Sequence, residues 1–97
     1  MAAYFYAGND TVGAHVRRIL DAAGWFAEDI VEDAEVVITY FTSTTALEDA
    51  YFGTDGIVKR AASRALLVDL SPTTPTFARE LSAVAMVNDL RPVEAPI

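Results

Sequence analysis

Cysteine is absent from this chain, so it can build no disulfide framework, no thiolate metal site and no thiol nucleophile. Histidine occurs once, at His15, which excludes a multi-histidine metal centre and leaves only carboxylate-held Mg²⁺ open. Basic residues are scarce: seven against fourteen acidic ones give a net charge of −7, so the chain repels phosphate backbones and anionic membrane surfaces. Neither nucleic acid nor a membrane is an expected partner. No apolar run approaches the ~18 residues of a membrane span, and the amino terminus lacks a basic segment followed by an apolar one. The expectation is a soluble, cytoplasmic protein.

What remains is a globular composition. Apolar residues make up 53% of the chain and charged residues 22%, a balance that supports a core rather than disorder. The 97 residues suit a single domain over 1–97 with one sheet or bundle to fill. Apolar runs at 2–7 (AAYFYA), 35–41 (EVVITYF) and 65–70 (ALLVDL) lack polar alternation, as strands buried on both faces do, and 91–96 (RPVEAP) is a weaker fourth. Helical stripes fall between them, at 11–23 with Val12, Val16, Ile19, Leu20 and Ala23, and at 75–87 with Phe77, Ala78, Leu81, Val84 and Ala85. Shorter helices fit 45–52 and 56–62. Thr74 before Pro75 marks a helix start, and Gly24 marks a helix end. Strands alternating with helices imply a parallel sheet with right-handed crossovers. The acidic segment 24–34 reads as one short helix, too short for a further strand and crossover.

The first strand runs into Gly8-Asn9-Asp10-Thr11-Val12-Gly13 and then a helix, the layout of a dinucleotide-binding turn with Asp10 where the middle glycine belongs. That glycine lets a pyrophosphate approach the backbone. A carboxylate ~4 Å from a phosphate charge costs about 4 kcal/mol at an effective dielectric near 20. Asp10 also has a use of its own, as a cap for a helix beginning at Thr11. A strand-to-helix turn that needs glycine for backbone reasons alone would read the same way.

From Ala34 onward the blocks AEVVITYFTSTTALEDAYFGTDGIV (34–58), LLVDLSPTTPTFAREL (66–81) and VEAPI (93–97) resemble the amino-terminal domain of the β-hydroxyacid dehydrogenase family, in order and spacing. That family includes 3-hydroxyisobutyrate and 6-phosphogluconate dehydrogenases. GNDTVGAHVRRILDAAG lies along its GLGNMG turn with both outer glycines in place. The resemblance implies an α/β fold: a reduced Rossmann-like domain of about four parallel strands, in the order 1-4-5-6 of the full fold, with helices on both faces. It also implies NAD or NADP as cofactor, and hydride transfer with a 3-hydroxy acid as the parent chemistry. The cofactor-binding candidates are Gly8, Asn9, Asp10, Thr11, Val12, Gly13, Thr42, Ser43 and Ser71. Hydroxyl-rich helix caps look the same at Thr42 and Ser43, and capping is the favoured reading, while Pro72 beside Ser71 removes a donor that the family has there.

Three departures bear on function: Asp10, a missing second strand, helix and third strand after Gly24, and the stop at Ile97. The family continues from there into a Ser-Gly-Gly substrate segment and a helical domain carrying the catalytic lysine. Lys59, the single lysine here, matches no such position, so no catalytic residue and no metal ligand is expected. Glu28 and Asp29 lie ~20 residues past the glycines, where an acidic ribose contact is sought, but they are set aside because the segment reads as helix. His15, Arg17 and Arg18 read as a solvated helix face, and Glu28, Asp29, Glu32, Asp33 and Glu35 as a charged surface. Without its neighbouring strands the first strand would be an edge carrying Tyr4, Phe5 and Tyr6 beside Trp25 and Phe26. A homodimer through that edge is expected, with a separate helical catalytic domain as a second conceivable partner.

Overall fold

The computed structural model describes residues 2–72 and 74–94. Among these residues five strands form one parallel sheet: β1 (Ala3–Gly8), β2 (Phe26–Ala27), β3 (Val36–Tyr40), β4 (Leu66–Asp69) and β5 (Arg91–Glu94), in the order β2-β1-β3-β4-β5. Helices α1 (Asp10–Ala22), α2 (Thr44–Phe52), α3 (Ile57–Arg60) and α4 (Pro75–Val87) connect them. The fold is the expected Rossmann-like α/β domain with one strand more than the sequence suggested.

The extra strand is β2, and it corrects the reading of 24–34 as a short helix. Gly24 turns the chain in the left-handed region at φ +86°, and Trp25 packs into the cluster of Tyr4, Val36 and Ile38. Phe26 N then donates to Ala2 O at 2.9 Å and Glu28 N to Tyr4 O at 2.8 Å. Only the turn Val31–Asp33 is helical, as a single 3-10 turn pinned by buried Val31. Two ladder residues suffice because the Trp25 side chain, not the hydrogen bonds alone, holds the strand in place. β1 is consequently an interior strand, which removes the premise that it forms an exposed edge.

Crossover handedness sorts the helices. α1 lies on one face over Tyr4, Tyr6, Val36 and Ile38, contributing Val16 and Leu20. α2, α3, α4 and the 3-10 turn cover the other face, where Val37 and Leu67 meet Leu47, Tyr51, Phe77 and Leu81. Each fully buried leucine there contributes about 2 kcal/mol of transfer free energy. α4 matches its expected bounds: Thr74 Oγ1 accepts from Phe77 N at 3.2 Å, Pro75 opens the helix, and Phe77, Leu81 and Ala85 point to the sheet at i, i+4 spacing. α3 is shorter than expected, because Ala61 already adopts an extended conformation on the way to β4. Residues 95–97, part of the VEAPI block, lie outside the described residues.

Candidate functional site

Three loops meet at the carboxyl ends of the strands around β1 and β3, where the connections leave in opposite directions, the position at which open parallel sheets bind ligands. The first is the Gly8–Gly13 turn. Gly8 is fixed by the backbone: its φ is +139°, and a Cβ there would fall 1.9 Å from Tyr40 O. Its neighbour Asn9 donates its N–H to that same Tyr40 O at 3.0 Å. Gly13 is set by a side chain instead, since a Cβ there would meet the Tyr6 ring at 2.6 Å. Tyr6 sits beneath the turn and donates its hydroxyl to Asn9 O at 2.7 Å. Burial first, and then the negative charge of Asp10, raise the Tyr6 phenol above its ordinary pKa, so it stays a donor.

The helix cap differs from expectation. Asn9, not Asp10, caps α1: its Oδ1 accepts from Thr11 N at 2.9 Å and Val12 N at 3.2 Å, while Asn9 O accepts from Gly13 N at 2.9 Å. The ladder bond to Tyr40 holds Asn9 extended, at φ −63° and ψ 129°, so the helix begins one residue earlier and Asp10 is its first helical residue. Two N–H groups that would cradle a phosphate are thus already taken by the chain's own amide oxygen. The exposed Asp10 carboxylate stands at the same helix end.

The other loops are stitched from below. Ser43 caps α2, accepting from Ala46 N at 3.3 Å, and Thr42 before it is exposed. Ser71 is fully buried, and its Oγ accepts from Phe41 N at 2.9 Å, tying the loop after β4 to the loop after β3. It shapes the site without facing it. Asp69 anchors Ser71 in turn, accepting from Ser71 N and from Thr39 Oγ1, both at 3.1 Å, and Thr39 is joined to Tyr51 at 2.6 Å. Burial pushes the Tyr51 phenol well above its ordinary range.

The structure also restores a residue that the helical reading of 24–34 sets aside. Glu28 directly follows β2, at the carboxyl end of the strand beside β1, where a ribose-reading carboxylate belongs. Its spacing from Gly8 is the signal in the sequence, and the helix assigned around it is what the structure corrects. Sequence reasoning does not single out Tyr6 or Asp69 as site residues; an acidic residue inside the apolar run ALLVDL is the mark that distinguishes Asp69. His15, Arg17 and Arg18 are exposed on α1, and Lys59 is exposed on α3, which leads into the amino end of β4 and away from the loops. Glu32 pairs with Arg60 at 3.1 Å on the surface, which holds the Glu32 carboxyl below its usual range.

Residues 4–97 match the family described as the NAD binding domain of 6-phosphogluconate dehydrogenase. Among curated proteins, the chain is similar to 3-hydroxyisobutyrate dehydrogenase of Pseudomonas aeruginosa, 36% identical over 66 residues, which are 68% of this chain and 22% of that one. It is similar also to an uncharacterized oxidoreductase of Bacillus subtilis, 30% identical over 70 residues, which are 72% of this chain and 24% of that one. The chain therefore spans less than a quarter of these relatives' length. Among solved structures, Mycobacterium tuberculosis 3-hydroxyisobutyrate dehydrogenase with L-serine superposes with a TM-score of 0.68 at 22% identity, over 99% of this chain and 40% of that one. Psf3 in complex with NADP+ and 2-OPP gives 0.69 at 18% identity, over 97% and 42%. At these identities the superpositions speak for the fold.

Proposed function

Because the chain belongs to the family of the NAD binding domain of 6-phosphogluconate dehydrogenase, we propose that it is an oxidoreductase-type dinucleotide-binding module that takes its cofactor weakly and prefers NAD to NADP. The observation that carries this reading is the pairing of the Gly8–Gly13 turn with Glu28 at the end of the adjacent strand β2. Together they form the adenosine half of a dinucleotide site. Glu28 offers a carboxylate to a ribose 2′-hydroxyl and repels a 2′-phosphate, which sets the order of the two cofactors. Asn9 and Asp10 set the weakness, the one by occupying two helix donors and the other by its charge.

In this reading turnover with a 3-hydroxy acid, the activity named for relatives such as 3-hydroxyisobutyrate dehydrogenase, needs groups outside these loops, supplied by a helical partner domain. The position of Lys59 on α3 supports that division. Calorimetric titration with NADH and NADPH tests the proposal. Saturable binding is expected for both, with NADH tighter and the order reversed in Glu28→Arg; absence of heat for either cofactor at millimolar concentration refutes it. That outcome would favour a second reading, a non-catalytic domain that keeps only the fold, for which the self-capped helix is the specific observation.

A further inference from the structure

The carboxylate of Asp69 does more than anchor Ser71. Asp69 is 3% exposed, and both of its donors, Ser71 N–H and Thr39 Oγ1–H, converge on Oδ1. With Thr39 donating to Asp69, the Tyr51 hydroxyl donates to Thr39, so the chain of hydroxyls points its protons toward the carboxylate. Both donors thus serve Oδ1 alone. Among the described residues Oδ2 has no hydrogen-bond partner, and no cationic side chain pairs with Asp69, the one ion pair being Arg60 with Glu32.

A buried ionised carboxylate without a counter-charge is costly, and natural proteins avoid that cost by neutralising the group, by a full set of donors or by a bound cation. Asp69 lines a recess of about 150 Å³ between α4 and β5, walled by Phe77, Leu81, Pro92 and Val93, with exposed Ser82 also on its wall. That volume is far more than a single water needs. The remaining wall combines a hydroxyl with aromatic and aliphatic surface. Among the described residues the side-chain oxygens offered to a metal ion are those of Asp69 and Ser82, whereas a small organic cation meets a carboxylate for its charged end and the Phe77, Leu81 and Val93 side chains for its carbon.

We propose that this recess binds a small primary ammonium compound, with the ammonium on Asp69 Oδ2 and the short alkyl part between Phe77 and Leu81. Dinucleotide binding is not required for it, since none of the recess residues belongs to the glycine turn. The test is a titration of isotope-labelled protein with methylammonium and ethylammonium chlorides, followed by amide NMR, with tetraethylammonium and sodium chlorides at equal ionic strength as controls. Saturable shifts at the Ser71 and Ser82 amides are expected with the two primary ammonium salts alone. Ser82→Leu fills the recess from an exposed helix position, leaves the Asp69 hydrogen bonds intact, and should weaken binding by roughly tenfold or more. Asp69→Asn should abolish it. Equal responses to the control salts, absence of saturation, or unchanged binding in Ser82→Leu overturns the proposal, and the Ser82 variant decides between the outcomes even if Asp69→Asn fails to fold.

Discussion

Replacing Asp10 by glycine should convert a poor phosphate seat into a better one. In the wild type the first turn of α1 offers an incoming pyrophosphate two donors already held by Asn9 Oδ1, at 2.9 and 3.2 Å, and one carboxylate of like charge. Displacing the Asn9 cap costs about 1 kcal/mol, offset by the phosphate oxygens that replace it. The charge is the larger obstacle: about 4 kcal/mol for unit charges ~4 Å apart at an effective dielectric near 20. Asp10 is exposed, so water and salt screen part of that. The expected gain is therefore roughly tenfold to a hundredfold in NADH affinity, or about 1.4 to 2.8 kcal/mol. Because an acidic residue at a helix start is favourable and glycine is not, Asp10→Gly should lose about 1 kcal/mol of stability, measurable by urea unfolding. The assay is calorimetry on wild type, Asp10→Gly and Asp10→Asn at low and high salt. Asp10→Asn should recover the electrostatic share alone, and the difference between wild type and Asp10→Gly should shrink as salt rises. Equal NADH affinities in the three proteins would refute the idea that the carboxylate is what weakens the site.

Gly8→Ala should cost about 2–4 kcal/mol, since its φ of +139° and the contact with Tyr40 backbone leave no way to relax, while Gly13→Ala should cost only about 1–2 kcal/mol because the Tyr6 ring can shift; denaturant melts rank the two. Tyr51 makes stability fall at alkaline pH. Its folded-state pKa is raised, so the stability it supports is intact below about pH 10, where the unfolded phenol stays protonated, and is lost as pH climbs toward the folded value. Tyr51→Phe should be less stable at pH 8 for want of the Thr39 hydrogen bond, yet flatter between pH 10 and 11, roughly the range where the unfolded phenol ionises. Phe26, 57% exposed on β2, is the side chain through which we propose self-association; light scattering should show a concentration-dependent dimer in the wild type and a monomer in Phe26→Ser, and a wild type that stays monomeric removes the idea.

Local chemistry determined a good part of this protein. The unbroken apolar runs at β1, β3 and β4, the Thr74-Pro75 start of α4 and the glycines of the first turn specify a parallel α/β sheet without reference to contacts, because burial on both faces and helix capping are written in adjacent residues. The three blocks in register carried the family as well. Tertiary structure decided what local pattern could not. Phe26–Ala27 is a strand because Trp25 is anchored across the sheet face and β1 offers a ladder, and no two-residue segment announces itself as a strand on its own. That pairing moved Glu28 from an apparent helix to a strand end. The cap passed from Asp10 to Asn9 because Tyr40 O, some thirty residues away in sequence, holds the Asn9 N–H and fixes where the helix begins. The recess at Asp69 likewise exists only once α4 packs beside β5, since a carboxylate acquires a buried, one-sided environment from the elements that surround it and not from its neighbours in sequence.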